Sequence, residues 1–247
     1  MIGIIGGVGP LAGLDIMAKI IEETKASRDQ EHLPLLLSSQ PHLIADRTDY
    51  LLGQVAENPA YAIIDLILAL EKAGATVVAI PSNTVHAPRI FDVIKKGLAD
   101  AKSQVKLLHM IEETAACVKE TYGSNIPVAV LSSTVTKNTG IYRHALAQNE
   151  IESLEPDEQL QAKVQDCIYD ETYGIKVTSY PVSNRARQEL IQAITELKKE
   201  GAKAVVLGCR ALHLAIPEKE NDGLPIIDPS RILAKALIRA IDPSKLR

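Results

Sequence analysis

The sequence has 247 residues, of which 46% are hydrophobic and 23% charged, proportions that predict a soluble globular protein and exclude a disordered one. Its formal net charge of −4 argues against nucleic-acid binding, because phosphate recognition needs a basic surface. With one Phe and no Trp, the chain also has few of the aromatic side chains on which bases stack.

The chain starts directly with an apolar strand pattern at 2–5, without the basic region or cleavage site of a signal peptide. No apolar run approaches the roughly 20 residues of a membrane span. Cys117, Cys167 and Cys209 lack metal-ligand spacing, so we expect neither a disulfide framework nor a metal site. These features predict a cytoplasmic protein with no membrane partner.

Apolar runs of strand length alternate with longer amphipathic segments along the chain. Strands are predicted at 2–5, 33–37, 77–80, 105–107, 128–131 and 204–207. Helices are predicted at 11–25, 60–73, 111–122, 161–170, 185–199 and 231–241. Strands that are apolar throughout, alternating with helices, indicate an α/β fold with mainly parallel sheets flanked by helices.

The two halves of the chain resemble each other. Residues 70–82 align without a gap with residues 197–209, which places Ser82 on Cys209. Both segments contain a charged helix end, a glycine that can cap it, a strand and a turn. The strand at 2–5 matches 128–131 at nearly the same offset. An internal duplication explains both matches, although any two αβ units share some likeness.

A duplication would bring the turns after the strands together. In open parallel sheets, ligands bind beyond the carboxyl ends of the strands. Glycine-rich or polar turns follow the predicted strands at 6–9, 82–84, 132–136 and 209–210. Two pseudo-symmetric lobes would then present Ser82 and Cys209 to opposite sides of one small molecule. That arrangement suits the loss of a proton from one face of a carbon and its gain on the other.

The first turn, Gly7-Val8-Gly9, nearly fits the G-x-G-x-x-A fingerprint of dinucleotide-binding proteins. That function also needs an acidic residue about 20 positions later, where the chain has Ser38-Ser39-Gln40 instead. The backbone amides of the turn could instead bind a small carboxylate, or the turn could hold no ligand.

The turns at Ser82 and Cys209 each allow a structural and a functional interpretation. Ser82 and the polar residues after it could simply cap a helix. No G-x-S-x-G elbow surrounds Ser82, which disfavours a hydrolase, and we expect His86 to be structural. Cys209 could be a buried packing residue. Arg210 and a helix N-terminus would instead lower its pKa toward neutrality, which favours a reactive thiol.

Taken together, these motifs resemble the pyridoxal-phosphate-independent aspartate/glutamate racemase family over nearly the whole chain. The matching pieces are Ile4-Ile5-Gly6-Gly7-Val8-Gly9-Pro10-Leu11-Ala12, Asp46-Arg47-Thr48, Ser82-Asn83-Thr84-Val85-His86, Ile168-Tyr169-Asp170, Tyr173-Gly174-Ile175-Lys176 and Leu207-Gly208-Cys209. The resemblance implies two pseudo-symmetric α/β lobes with the site between them. We place the first lobe at 1–113, completed by 217–247, and the second at 114–216.

The resemblance further implies that the α-proton of an acidic amino acid passes between two cysteines without a cofactor. Cys209 occupies the second cysteine position and Ser82 the first. The substrate-binding positions that carry over are Val8, Arg47, Asn83, Thr84, Ser133, Thr136 and Lys176, with Arg210 beside the thiol. We also expect a homodimer.

Two positions depart from the family pattern. Ser82 replaces a cysteine, and an ordinary hydroxyl scarcely ionises at neutral pH, whereas a thiol can. Ser82 is either a natural hydroxyl variant with skewed activity or an introduced replacement for cysteine. Arg210-Ala211 replaces a typical Thr-Glu pair, so a cation stands beside the thiol in place of an anion. The second change leaves the side-chain specificity open.

Three functions remain open at this point. The first is racemisation of aspartate or glutamate, impaired or one-sided because of Ser82. The second is decarboxylation or isomerisation of a small dicarboxylate, which needs only one thiol. The third is binding of an acidic amino acid without turnover.

Overall fold

The computed structural model describes residues 1–177 and 180–247, which form two compact units. The first unit comprises 1–114 and 230–247, and the second 115–229. The strands are β1 (Ile2–Ile5), β2 (Leu35–Ser38), β3 (Val77–Ala79), β4 (Lys106–Leu107), β5 (Pro127–Leu131), β6 (Glu152–Leu154), β7 (Ala204–Leu207), β8 (Glu220–Asn221) and β9 (Leu224–Ile227). The helices are α1 (Pro10–Glu23), α2 (Arg47–Leu52), α3 (Ala60–Lys72), α4 (Pro88–Asp100), α5 (Met110–Tyr122), α6 (Thr134–Thr139), α7 (Ile141–Gln148), α8 (Glu158–Tyr169), α9 (Asn184–Lys199), α10 (Arg210–Ala215) and α11 (Pro229–Ile241).

The first unit is built on a four-stranded parallel sheet in the order β2-β1-β3-β4. All residues of β1 and β3 are buried, as expected for a sheet covered on both faces. The C-terminal segment returns to this unit. Arg231 on α11 forms an ion pair with Glu23 on α1, and the N–H of Lys25 donates to the carbonyl of Lys245 at 2.7 Å. These contacts tie the two ends of the chain together.

The second unit contains a five-stranded sheet in the order β6-β5-β7-β9-β8. Its pairs are parallel except for the short antiparallel pair of β8 with β9. Residues 217–229 are predicted from the sequence to belong to the first lobe. In the structure, β9 pairs with β7, Val205 lying opposite Ile226, so these residues belong to the second unit. The α/β class with mainly parallel sheets is therefore confirmed.

The sheet pairing also confirms the internal duplication. In the first unit Ile2 lies opposite Val77, and in the second Val128 lies opposite Ala204. These are the residues that the sequence alignment matches. In each sheet the first strand of the unit lies between the second and the third, in the orders β2-β1-β3 and β6-β5-β7. The duplicated sequences therefore fold into the same strand order and the same register.

The turns around the repeated strands match in backbone conformation as well. Gly74 and Gly201, which end the helices before β3 and β7, have φ angles of +100° and +107°, a region that side chains other than glycine rarely adopt. After the strands, Ser82 has φ −144° and ψ 117°, and Cys209 has φ −144° and ψ 129°. Ser82 and Cys209 are therefore structurally equivalent within their units.

In the described part of the chain, no helix is both long and apolar enough to cross a membrane.

Candidate functional site

The Ser82 turn lies beyond the carboxyl end of β3. Ser82 precedes a short 3₁₀ helix at Asn83–His86 and is half-buried. Its Oγ lies 3.4 Å from the Oγ1 of the buried Thr84, a distance at the long end for a hydrogen bond between hydroxyls. Its own N–H donates to the carbonyl of Ile80 at 2.8 Å. Ser82, Asn83 and Thr84 are thus presented together by one turn.

The ring of His86 supports this turn. Its Nδ1 lies 2.8 Å from the carbonyl oxygen of Ser82, and the N–H of Met110 donates to its Nε2 at 3.1 Å. Burial and the neighbouring His109 lower the pKa of His86 to about 3. His86 is therefore neutral near pH 7, and both of its nitrogens are already bonded to the backbone.

Arg47 is anchored to the glycine-rich turn after β1. Its Nη1 donates to the carbonyl of Val8 at 2.6 Å, while its Nε is buried and has no hydrogen-bond partner among the described residues. Asp46 caps α2 by accepting the N–H groups of Thr48 and Asp49, which fixes the helix that carries Arg47. The side chain of Val8 packs in the hydrophobic core of the unit. The guanidinium of Arg47 thus stands beside the turn at the end of β1.

Cys209 lies in the second unit, beyond the end of β7 and directly before α10. Burial raises the pKa of its thiol above the ordinary value, although the charge of Lys176, the N–H groups of Ala211 and Leu212, and the charge of Arg210 act in the opposite direction. The prediction that Arg210 and the helix would bring this pKa toward neutrality is therefore wrong in its net direction. Desolvation of the thiolate outweighs the nearby positive charges.

Two basic side chains accompany Cys209. Lys176 donates to the hydroxyl of Tyr169 at 2.8 Å and lies 4.2 Å above the centre of that ring, which holds its ammonium in place. The Nε of Arg210 is buried and has no hydrogen-bond partner in 1–177 and 180–247. Both charges favour the thiolate over the thiol. The charges of Lys176 and Arg210 therefore both act on this thiol.

The turn after β5 holds Ser133 and Thr136. Both are buried, and the Oγ of Ser133 lies 3.1 Å from the Oγ1 of Thr136 and accepts its N–H. Gln161 on α8 donates to the carbonyl of Ser132 at 3.0 Å, which ties the turn to the neighbouring helix. Two hydroxyls are thus fixed at the same end of the sheet as Cys209, because β5 and β7 are parallel neighbours.

A further group of residues near Cys209 lies outside the prediction made from the sequence. A Cβ on Gly208 would lie 2.8 Å from the ring of Tyr142, so only glycine allows this close approach. Burial, and then the charges of Asp228 and Cys209, raise the pKa of Tyr142 well above its ordinary value. The Nε2 of His213 lies 3.5 Å from Asp228. Asp228 follows β9, a strand that was not predicted, so no sequence signal placed it here.

Comparison with known proteins adds an independent observation. The profile of the Asp/Glu/Hydantoin racemase family matches residues 5–237. The chain is 29% identical to the broad specificity amino-acid racemase RacX of Bacillus subtilis (strain 168), over 96% of each protein. It is also 29% identical to Picrophilus torridus aspartate racemase, whose structure superposes with a TM-score of 0.77 over 97% of this chain and 93% of that one.

A more distant structure shares the fold alone. Arylmalonate decarboxylase is 16% identical, with a TM-score of 0.62 over 100% of this chain and 95% of that one. The same fold therefore occurs in a protein named as a racemase and in one named as a decarboxylase.

Proposed function

The chain belongs to the Asp/Glu/Hydantoin racemase family, and on that premise we propose that it racemises an acidic amino acid without a cofactor, using Cys209 and Ser82. The proposal rests on the structural equivalence of these two residues. Each follows the corresponding strand of a duplicated unit, and their φ angles are equal. Two proton-transfer groups at equivalent positions suit a reaction in which one removes the α-proton and the other returns one.

In the proposed reaction, the Cys209 thiolate takes the α-proton of the L-amino acid and becomes a thiol. The electron pair of the broken C–H bond remains on the α-carbon, which then takes the hydroxyl proton of Ser82 on the opposite face. The Ser82 alkoxide is reprotonated by solvent, and the Cys209 thiol returns its proton to solvent. The hydroxyls of Thr84, Ser133 and Thr136 are proposed to bind the α-carboxylate.

Three cations support the choice of an acidic amino acid. Arg47 stands beside the turn after β1, and the charges of Lys176 and Arg210 act on Cys209. The buried Nε atoms of Arg47 and Arg210 have no hydrogen-bond partner in the described residues. A second carboxylate on the substrate could accept from such a guanidinium, which pairs well with planar anions. We propose aspartate or glutamate, and leave open which is preferred.

The test is proton NMR in deuterated water, following loss of the α-hydrogen signal from the enantiomers of aspartate, glutamate, alanine and leucine. Exchange of an acidic amino acid supports the proposal, and exchange of alanine at an equal rate contradicts the acidic specificity.

A decarboxylase is the second candidate function, since it needs a single thiol and Cys209 is the one thiol of the pair. Release of carbon dioxide from a small dicarboxylate, without α-proton exchange, would identify it. Binding of an acidic amino acid without either reaction would identify a binding protein.

The rate of α-proton exchange should rise with pH through the ordinary pKa range of a thiol and continue to rise above it. The base in the reaction is the thiolate, and burial raises the pKa of Cys209, so the active form gains population only as the pH increases. Lys176 opposes this shift. Lys176→Met should therefore move the profile of kcat/KM to higher pH, whereas Lys176→Arg, which keeps the charge, should leave it in place. Equal profiles for the two variants would contradict the assignment.

We also propose that the protein is a cytoplasmic homodimer. Leu11, Leu14 and Ile21 are exposed at 50%, 57% and 43% along one face of α1, which supports an apolar contact with a second copy. Light scattering of the purified chain measures the mass directly, and a monomer at all concentrations would exclude the dimer.

A further inference from the structure

His86 makes two hydrogen bonds whose directions are fixed by chemistry. The Met110 amide can only donate, so Nε2 of His86 is the accepting nitrogen. The Ser82 carbonyl can only accept, so Nδ1 of His86 carries the proton and donates it. The two contacts therefore select one neutral tautomer, with the proton on Nδ1.

The ring is also fixed by the side chains around it. His86 is 2% exposed. Phe91 stacks on it at 5.0 Å between ring centres, and His109 meets it edge-on at 4.6 Å. Phe91 and His109 pack against each other at 4.5 Å, which closes the cluster. A ring bonded at both nitrogens and packed on two sides has one orientation.

We propose that His86 is a positioning residue for racemisation, which fixes the Ser82 hydroxyl by holding the Ser82 carbonyl to the N-terminal turn of α5. This inference rests on the function proposed above. On one side of its Cα, Ser82 is held by its N–H bond to Ile80, and on the other by its carbonyl bond to His86. Because both peptide groups are restrained, the Cα–Cβ bond of Ser82 has a fixed direction. The hydroxyl is thereby held in position to protonate the α-carbon of the substrate.

A direct role in proton transfer does not fit the same contacts. Both nitrogens of His86 are bonded to backbone groups, so neither is left to exchange a proton with substrate. His86 acts through Ser82, and its loss should change the geometry of the reaction more than the affinity for substrate.

Two substitutions of His86 distinguish its bond to the Ser82 carbonyl from its bond to the Met110 amide. In His86→Asn the amide nitrogen can take the place of Nδ1 and donate to Ser82, whereas the Met110 bond is lost. In His86→Gln the side-chain oxygen can take the place of Nε2 and accept from Met110, whereas the Ser82 bond is lost. Both remove the ring from its contacts with Phe91 and His109, so the loss of packing is similar. The difference between the variants therefore reports on the bond to Ser82.

We expect His86→Gln to lower kcat for α-proton exchange by about a hundredfold, the order of loss that a misplaced reacting group causes, with little change in KM. His86→Asn should recover a large part of that loss. His144→Gln, at an exposed position on α7, is the control and should behave like the unsubstituted protein. Equal losses in the two His86 variants, or a change in KM alone, would overturn the inference.

Two measurements decide the inference even if the unsubstituted protein exchanges no amino acid, a result that would refute the proposed function alone. Nitrogen NMR of labelled histidine should show His86 protonated at Nδ1, and a proton on Nε2 would overturn the inference. In a Ser82→Cys background, alkylation of the introduced thiol, followed by mass spectrometry of its peptide, should change rate with His86→Gln and much less with His86→Asn. An unchanged rate in both would also overturn it.

Discussion

Cys209→Ser should reduce α-proton exchange by at least about 10²–10⁴-fold, the usual contribution of a positioned acid–base group. Serine keeps the size and the backbone of the turn but supplies almost no conjugate base near neutral pH. Because Ser82 already holds a hydroxyl at the equivalent position, the variant would have no thiol at either. The measurement is the initial rate of α-hydrogen loss in deuterated water, for both enantiomers.

Cys117→Ser provides the matched control. Cys117 is a partly exposed thiol on α5, outside the turns that carry the candidate residues, and its Sγ lies 3.9 Å from the Oγ1 of Thr121. Its replacement should leave exchange unchanged. The melting temperatures of both variants should be compared, since a loss of folding would also remove activity. Normal exchange in a folded Cys209→Ser protein would contradict the mechanism.

Much of the fold could be predicted because its signals are local. The strand Ala204–Leu207 is a continuous apolar run, and the glycines before β3 and β7 lie at the positions where a positive φ is needed. α4 carries an equally clear helical pattern at Ile90, Phe91, Ile94 and Leu98, with Pro88 at its start, so it could also have been predicted. The polar edge strand Glu152–Leu154 could not, since its pairing with β5 stabilises a segment that has little strand pattern of its own.

The same distinction applies to the candidate site, in which some features have a local sequence signal and others depend on tertiary contacts. Turns that follow apolar strands identify Ser82 and Cys209 as equivalent, because the duplication is visible in the sequence. The net direction of the Cys209 pKa depends on how completely the thiol is desolvated, and sequence proximity to Arg210 does not report this. Likewise, Tyr142 and Asp228 approach each other from distant parts of the chain. Such contacts exist only once the sheet of the second unit has formed.

The role of His86 shows why a residue type alone is a weak guide. A histidine beside a polar turn could be an acid, a base or a ligand. Its burial and its two backbone hydrogen bonds exclude these roles and leave a structural one, in agreement with the expectation from the sequence. The bond to Ser82, however, depends on the 3₁₀ turn at Asn83–His86, which brings the ring back under the carbonyl four residues earlier.

Ser82 should make exchange of the α-hydrogen with solvent depend on the enantiomer, with L-aspartate or L-glutamate exchanging much faster than the D-enantiomer. The family resemblance implies that the second cysteine faces the α-hydrogen of the L-enantiomer, and that residue is Cys209. From the L side, Cys209 removes the proton as a thiolate. From the D side, Ser82 would have to act as the base, and an ordinary hydroxyl is almost never ionised near neutral pH. Within the described residues, the Ser82 Oγ lies against the hydroxyl of Thr84 and is not bonded to a cation.

Ser82→Cys should therefore raise the exchange rate of the D-enantiomer more than that of the L-enantiomer and bring the two rates together. Each tenfold gain corresponds to about 1.4 kcal/mol of barrier, so even a modest stabilisation of the conjugate base is measurable. Ser82→Ala is the matched control. It removes the hydroxyl and should abolish racemisation, whereas exchange of the L-enantiomer with solvent can persist through Cys209. The rates are read from the α-hydrogen signals of each enantiomer, and the product configuration from chiral chromatography. A D-enantiomer that exchanges as fast as the L-enantiomer in the unsubstituted protein would show that Ser82 is not the weaker base, and the assignment of the two faces would have to be abandoned.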